Sequence, residues 1–126
     1  MKTASILHNS VRGIGSLMLI LGIIVWTGSA DMLVPVHILL GVLLVIAMFA
    51  LSFLAARAGA PTGLVILVVV WALIMPVFGL VQEAILPDAG HWVIQIVHLL
   101  IGIGAIGVCE RLAASMKKIG AASAAA

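Results

Sequence analysis

Residues 33–56, LVPVHILLGVLLVIAMFALSFLAA, contain no aspartate, glutamate, lysine or arginine. The length of this stretch matches the roughly 20 apolar residues that an α-helix needs to cross a bilayer. The whole chain is 65% hydrophobic and only 8% charged, whereas soluble domains average about 45–50% apolar and about 25% charged residues. The composition therefore excludes a soluble globular protein and predicts an integral membrane protein.

Three further segments have the length and apolar character of membrane spans. With 33–56, the predicted spans are 11–28, 63–86 and 91–110, and 120–126 form a frayed tail. The connections are short, which favours antiparallel neighbours in an up-down arrangement. Residues 28–30 resemble a signal-peptide cleavage site, but the similar apolar segments that follow favour a retained first span. The expected fold is a single, all-α, integral membrane four-helix bundle.

Basic residues are distributed unevenly between the predicted connections. They precede the first span, lie between the second and third, and follow the fourth, at Lys2, Arg12, Arg57, Arg111, Lys117 and Lys118. The other two connections and the helix ends beside them carry only acidic charges, at Asp31, Glu83 and Asp88. The positive-inside rule then predicts a multi-pass protein of the cell inner (cytoplasmic) membrane with both termini cytoplasmic. This anchoring explains the net charge of +2, so no nucleic-acid partner is expected.

Two matched stretches stand out from the apolar background. Residues 36–42 read VHILLGV and residues 97–103 read VHLLIGI, each with a histidine followed four positions later by a glycine. An ionisable residue inside a bilayer is costly and therefore indicates a functional site. Two of them in repeated settings suggest a pair of imidazole ligands for a metal or a haem. Duplication of a helix pair and chance similarity both remain open as the origin of the match.

The helical positions of His37 and His98 suit a shared ligand. In a square bundle the second and fourth helices lie diagonally, so their imidazoles can approach a metal ion from opposite sides. Gly41 and Gly102, one turn beyond each histidine, would let a flat macrocycle approach the backbone, and Gln95 lies one turn before His98. The same faces carry Leu44 and Met48 on the second helix, and Ala105 and Cys109 on the fourth.

Each histidine also has a plainer interpretation. His37 or His98 could hydrogen-bond a neighbouring helix or lie at the membrane interface, since polar side chains also hold membrane helices together. His91 is interpreted as interfacial. It shares a face with His98 but lies about 10 Å from it along the helix axis, too far for one metal ion.

Other polar or irregular positions allow more than one role. His8 is predicted to be solvated or near lipid headgroups, and Glu110 to extend its carboxylate to the interface. Glu83 is either a solvated helix end or a group that takes up a proton, binds a cation or contacts a quinone. Pro76 is expected to kink the third helix, which could open a pocket for a cofactor or quinone or simply be tolerated.

Four apolar helices with histidines on the second and fourth resemble small membrane b-type cytochromes of the cytochrome b561-like kind. The resemblance implies one haem b with His37 and His98 as axial ligands, and electron transfer with a quinone or a redox partner protein. Many members carry two haems, but this chain lacks a second intramembrane histidine pair. No lysine or arginine is available in the outer connections for the haem propionates, so His91, Trp92, Ser29 and backbone amides would have to serve.

Two other classes of protein remain open. One is a small transporter, although residues 16–26 lack the intramembrane acid on which small multidrug resistance proteins depend. The other is an accessory subunit of a larger membrane complex. Gly102, Gly104 and Gly107 would suit tight packing, a homodimer face or a cofactor. No nucleophile–base arrangement, phosphate loop or carboxylate pair occurs in the sequence, so no catalytic residue is predicted.

Overall fold

The computed structural model describes residues 2–28, 30–86 and 88–126. These residues form four α-helices, namely α1 (Lys2–Trp26), α2 (Val34–Arg57), α3 (Thr62–Val81) and α4 (His91–Ala125). Short 3₁₀ turns cover Asp31–Leu33, Gln82–Ala84 and Asp88–Gly90, and the described chain contains no β-strand. The predicted all-α class is confirmed. All four helices are long and apolar enough to span a membrane.

Glycine and proline explain where several helices begin and end. Gly28 after α1 and Gly59 after α2 have φ angles of +72° and +82°, the left-handed conformation that commonly ends a helix. Pro35 lies in the first turn of α2, where a missing backbone N–H costs nothing. Pro76 lies inside α3, and the helix nevertheless continues to Val81, as membrane helices often do around proline.

The four helices pack as a bundle. α1 and α3 each contact both α2 and α4, and α2 also contacts α4 across the bundle. Where α1 and α4 touch, residue numbers rise along α1 and fall along α4. His8 lies beside Glu110, and Leu19 lies against Gly102. These two helices therefore run antiparallel.

The interior of the bundle differs between its two ends. One end is closely packed, and we call it the packed end. Its buried core comprises Val11, Leu44, Ala47, Met48, Leu51, Ala55, Ala60, Val68, Ala72, Ala105, Cys109, Leu112 and Met116. The other end surrounds His37 and His98 and is hollow, and we call it the cavity end. The sequence periodicity did not predict this division, because every helix is apolar on most of its surface.

Two helices extend beyond the predicted spans. α1 already begins at Lys2, and α4 continues as a helix to Ala125. Alanine and lysine, which are frequent in the extension of α4, are good helix formers. As a result His8, which precedes the predicted first span, lies within α1 and packs beside Glu110 of α4.

Candidate cofactor site

The imidazole rings of His37 on α2 and His98 on α4 lie side by side. Their centroids are 6.2 Å apart and the ring planes are inclined by 49°. A metal between two imidazoles places the ring centres roughly 6 Å apart, because each metal–nitrogen bond is about 2.0–2.1 Å and each nitrogen lies about 1 Å from its ring centre. The separation of the two histidines therefore suits one metal ion between them.

Each of these imidazoles has a nitrogen that the protein leaves without a partner. Nδ1 of His37 and Nδ1 of His98 are both buried. Neither atom donates or accepts a hydrogen bond within the described residues. A buried polar atom without a partner costs free energy unless a ligand or water satisfies it. These two nitrogens are therefore available to a ligand that enters this part of the bundle.

A cavity of about 380 Å³ surrounds the two histidines. This volume lies within the range of about 300–1,000 Å³ that is typical of small-molecule and cofactor sites. Gly41, Gly102 and Gln95, which the sequence suggested as cofactor contacts, all line it. The walls are mainly apolar, and the remaining polar side chains come from the end of α3, the turn that follows it and the start of α4, namely Gln82, Glu83, His91 and Gln95.

Glycines on α1 and α3 face the two imidazoles. A Cβ atom at Gly22 would lie 3.4 Å from Cε1 of His37, and a Cβ atom at Gly79 would lie 3.6 Å from Cε1 of His98. Larger side chains at either position would press on the ring. Gly22 could not be identified from the sequence, because a single glycine in an apolar span does not reveal which side chain it faces.

The glycines one turn beyond the histidines contact α1. Cβ positions at Gly41 and Gly102 lie 3.3 Å from Cε of Met18 and 3.3 Å from Cδ2 of Leu19, respectively. These side-chain ends occupy the space in which a macrocycle was expected to approach the backbone. Both are the flexible ends of apolar side chains, and methionine in particular adapts to irregular spaces.

Aromatic residues on α3 have distinct roles around the predicted Pro76 pocket. Phe78 stacks on His98, with centroids 5.9 Å apart and planes inclined by 16°, which restrains the orientation of that imidazole. Trp71 instead joins α3 to α4, since its Nε1 donates a hydrogen bond of 2.9 Å to the carbonyl oxygen of Ile101. A Cβ atom at Gly104 would overlap the Trp71 ring.

The donor set fits a metal that brings further ligands of its own. In the part of the chain that the structure describes, no group of three or more histidine, cysteine, aspartate or glutamate side chains could hold a metal ion. Two neighbouring imidazoles in an apolar cavity would supply two ligands to the iron of a haem, whose macrocycle would bring the others. The two histidines therefore fit a haem as its protein ligands, while the side-chain ends of Met18 and Leu19 lie where the macrocycle would approach the backbone.

One polar residue departs from its sequence-based interpretation. The expectation that His8 is solvated is wrong, because this residue is only 5% exposed. Its Nε2 lies 3.0 Å from Oε1 of Glu110, and Nε of Arg12 lies 3.1 Å from the same oxygen. The antiparallel register of α1 and α4 brings these groups together.

No family model, no curated protein and no solved structure matches this chain. The resemblance to b-type cytochromes therefore stays a prediction.

Proposed function

We propose that the protein binds one haem b between His37 and His98 and serves in electron transfer in the cell inner membrane. The observation that carries this proposal is the 6.2 Å separation of the two imidazole rings inside a largely apolar cavity of about 380 Å³. A bound haem would supply a one-electron redox couple, whose potential depends on the axial ligands, on hydrogen bonding and on burial.

The protein residues in this proposal bind and orient the group and limit the access of water. His37 and His98 would hold the haem iron. Gly22 and Gly79 face their rings, and Phe78 restrains the ring of His98 by stacking. The apolar walls keep the local dielectric constant low, which tunes the redox potential of a buried metal.

The polar side of the cavity would hold carboxylates or carbonyl groups. Gln82, His91 and Gln95 can all donate hydrogen bonds there, and Glu83 is the only carboxylate among the lining residues. Such donors would serve the haem propionates in the absence of lysine and arginine. They would equally serve the oxygen atoms of a quinone, so a quinone or a redox partner protein is the proposed electron-transfer partner.

The proposed membrane topology is an up-down bundle with both termini in the cytoplasm and the haem near the outer face. It is supported by the antiparallel contacts of α1 and α4 and by the distribution of basic residues. Short connections between the helices agree with this arrangement.

The test is an oxidised-minus-reduced visible spectrum of protein purified in detergent after expression with a haem precursor. We expect sharp b-type bands in the wild-type protein and their loss in His37→Ala and in His98→Ala. Val97→Ala is the matched control, because Val97 precedes His98 on α4 but is not among the residues that line the cavity. It should retain the bands.

A second arm separates ligation from folding. Adding free imidazole to His98→Gly should restore haem binding if the lost side chain acted as a ligand, because the small molecule can occupy the vacated space. A colourless wild-type protein, or bands that persist in both alanine variants, would refute the proposal.

A further inference from the structure

All lysine and arginine residues of the chain lie at the packed end of the bundle. They belong to the first half of α1, the end of α2 and the second half of α4, and they are Lys2, Arg12, Arg57, Arg111, Lys117 and Lys118. Of the four acidic residues, only Glu110 lies at this end. Six positive charges and one negative charge leave a formal net charge of +5 there, which attracts anions.

A narrow groove lies at the same end between α1 and α4, and we call it the terminal groove. Its volume is about 170 Å³, and it is lined by Ala4, Ser5, His8, Ala113, Met116 and Lys117. Ser5 and Lys117 are exposed, so the groove opens on the surface of the bundle. Most small-molecule sites measure about 300–1,000 Å³. The terminal groove therefore suits a segment of a flexible chain better than a compact cofactor.

The terminal groove is charged at its outer end and apolar farther in. Continuing the antiparallel register of His8 with Glu110 places the start of α1 level with residues 116–118 of α4. Lys117 thus lies near the outer end of the groove. Ala113, one turn earlier on the same face of α4, lies about 6 Å deeper. A phospholipid has the same order of polarity, with a charged headgroup above an apolar acyl chain.

We propose that the terminal groove binds an anionic glycerophospholipid, with its phosphate beside Lys117 and the first part of one acyl chain between α1 and α4. Anionic headgroups are attracted to basic side chains at a membrane surface. Packing of the chain against Ala4, Ala113 and Met116 supplies the contacts that an empty groove forfeits. The positive charge selects an anionic headgroup, and the apolar groove selects a lipid over a free phosphate ion.

Arg57 provides a matched control, because it lies at the same depth but outside the groove. α1 and α2 are antiparallel, with Gly22 beside His37 and Met18 beside Gly41. This register places Arg57 level with the start of α1, and Arg57 is not among the residues that line the groove. Neutralising Arg57 therefore changes the charge of the packed end without changing the terminal groove.

Native mass spectrometry of the full-length protein in detergent tests the proposal. Phosphatidylglycerol and phosphatidylcholine with the same acyl chains are titrated separately, and we expect one molecule of phosphatidylglycerol to bind in preference. Lys117→Gln should weaken this binding about fivefold, whereas Arg57→Gln should change it little. Ser5→Phe keeps the charge but places a ring at the exposed edge of the groove, and it should also weaken the binding. All three substituted residues are exposed, so none of the variants loses a buried contact.

Equal binding of the two lipids would overturn the proposal, as would equal losses in Lys117→Gln and Arg57→Gln or unchanged binding in Ser5→Phe. Inorganic phosphate in excess should leave the lipid bound. Displacement of the lipid by phosphate would overturn the proposal, because the site would then recognise the anion alone. A dimer that retains no lipid would also overturn it, because a second copy of the chain would then cover the groove. None of these measurements needs haem, so the lipid site and the proposed function can fail separately.

Discussion

The packed end and the cavity end of the bundle contain the same kinds of apolar residue, but these residues fill the interior at one end and line an open space at the other. At the packed end Met48, Leu51 and Leu112 are fully buried in a continuous core. At the cavity end comparable side chains such as Leu19 line an open space of about 380 Å³. Helices in lipid associate mainly through close packing, and an open space forfeits those contacts. The contrast suggests that one end supplies stability and the other supplies a binding site.

The largest expected effect is on stability at the packed end. Leu51→Ala removes a fully buried side chain and should lower the free energy of unfolding by about 2–5 kcal/mol. Leu19→Ala, its matched control at the cavity end, should cost about 1 kcal/mol or less, because Leu19 already borders an open space. Denaturant unfolding in detergent measures both variants. Equal losses would mean that the two ends do not differ in their contribution to stability.

A medium effect is expected where the two ends meet. Gly104→Val inserts a side chain into the ring of Trp71 and should destabilise the protein by about 1–3 kcal/mol. Gly107→Val, three residues along the same helix, meets no atom within 4 Å of its new Cβ and controls for the helix propensity of valine. Equal unfolding temperatures of the two variants would show that the close contact between Trp71 and Gly104 does not hold α3 against α4.

The smallest effect is expected within the cavity and depends on the proposed haem. Phe78→Leu removes an aromatic stack of the kind that contributes about 0.5–1.5 kcal/mol. It should shift the reduction potential by a few tens of millivolts while haem stays bound, as measured by redox titration of the visible bands. Val77→Leu, which changes an exposed neighbour, should leave the potential unchanged. A complete loss of haem in Phe78→Leu would instead make Phe78 essential for assembly of the site.

The sequence predicted the helical class and the pairing of His37 with His98 because both follow from local patterns. Apolar length identifies a membrane span, and the repeated VHxLxG pattern identified the two histidines. The partners Gly22 and Phe78 could not be assigned in the same way, because helix rotation decides which side chain each one faces. His8 and Glu110 lie at opposite ends of the chain, and only the register of α1 against α4 brings them together.

α4 is long enough to extend well beyond the hydrocarbon core of a membrane. A helix of 35 residues is about 52 Å long, whereas the hydrocarbon core of a bilayer is about 30 Å thick. Even with an ordinary tilt of about 20°, roughly 20 Å of α4 extends beyond the hydrocarbon. A fluorophore attached at Ala126 would therefore be held away from the lipid, and energy transfer from it to a dye at the membrane surface would report the angle and rigidity of the helix.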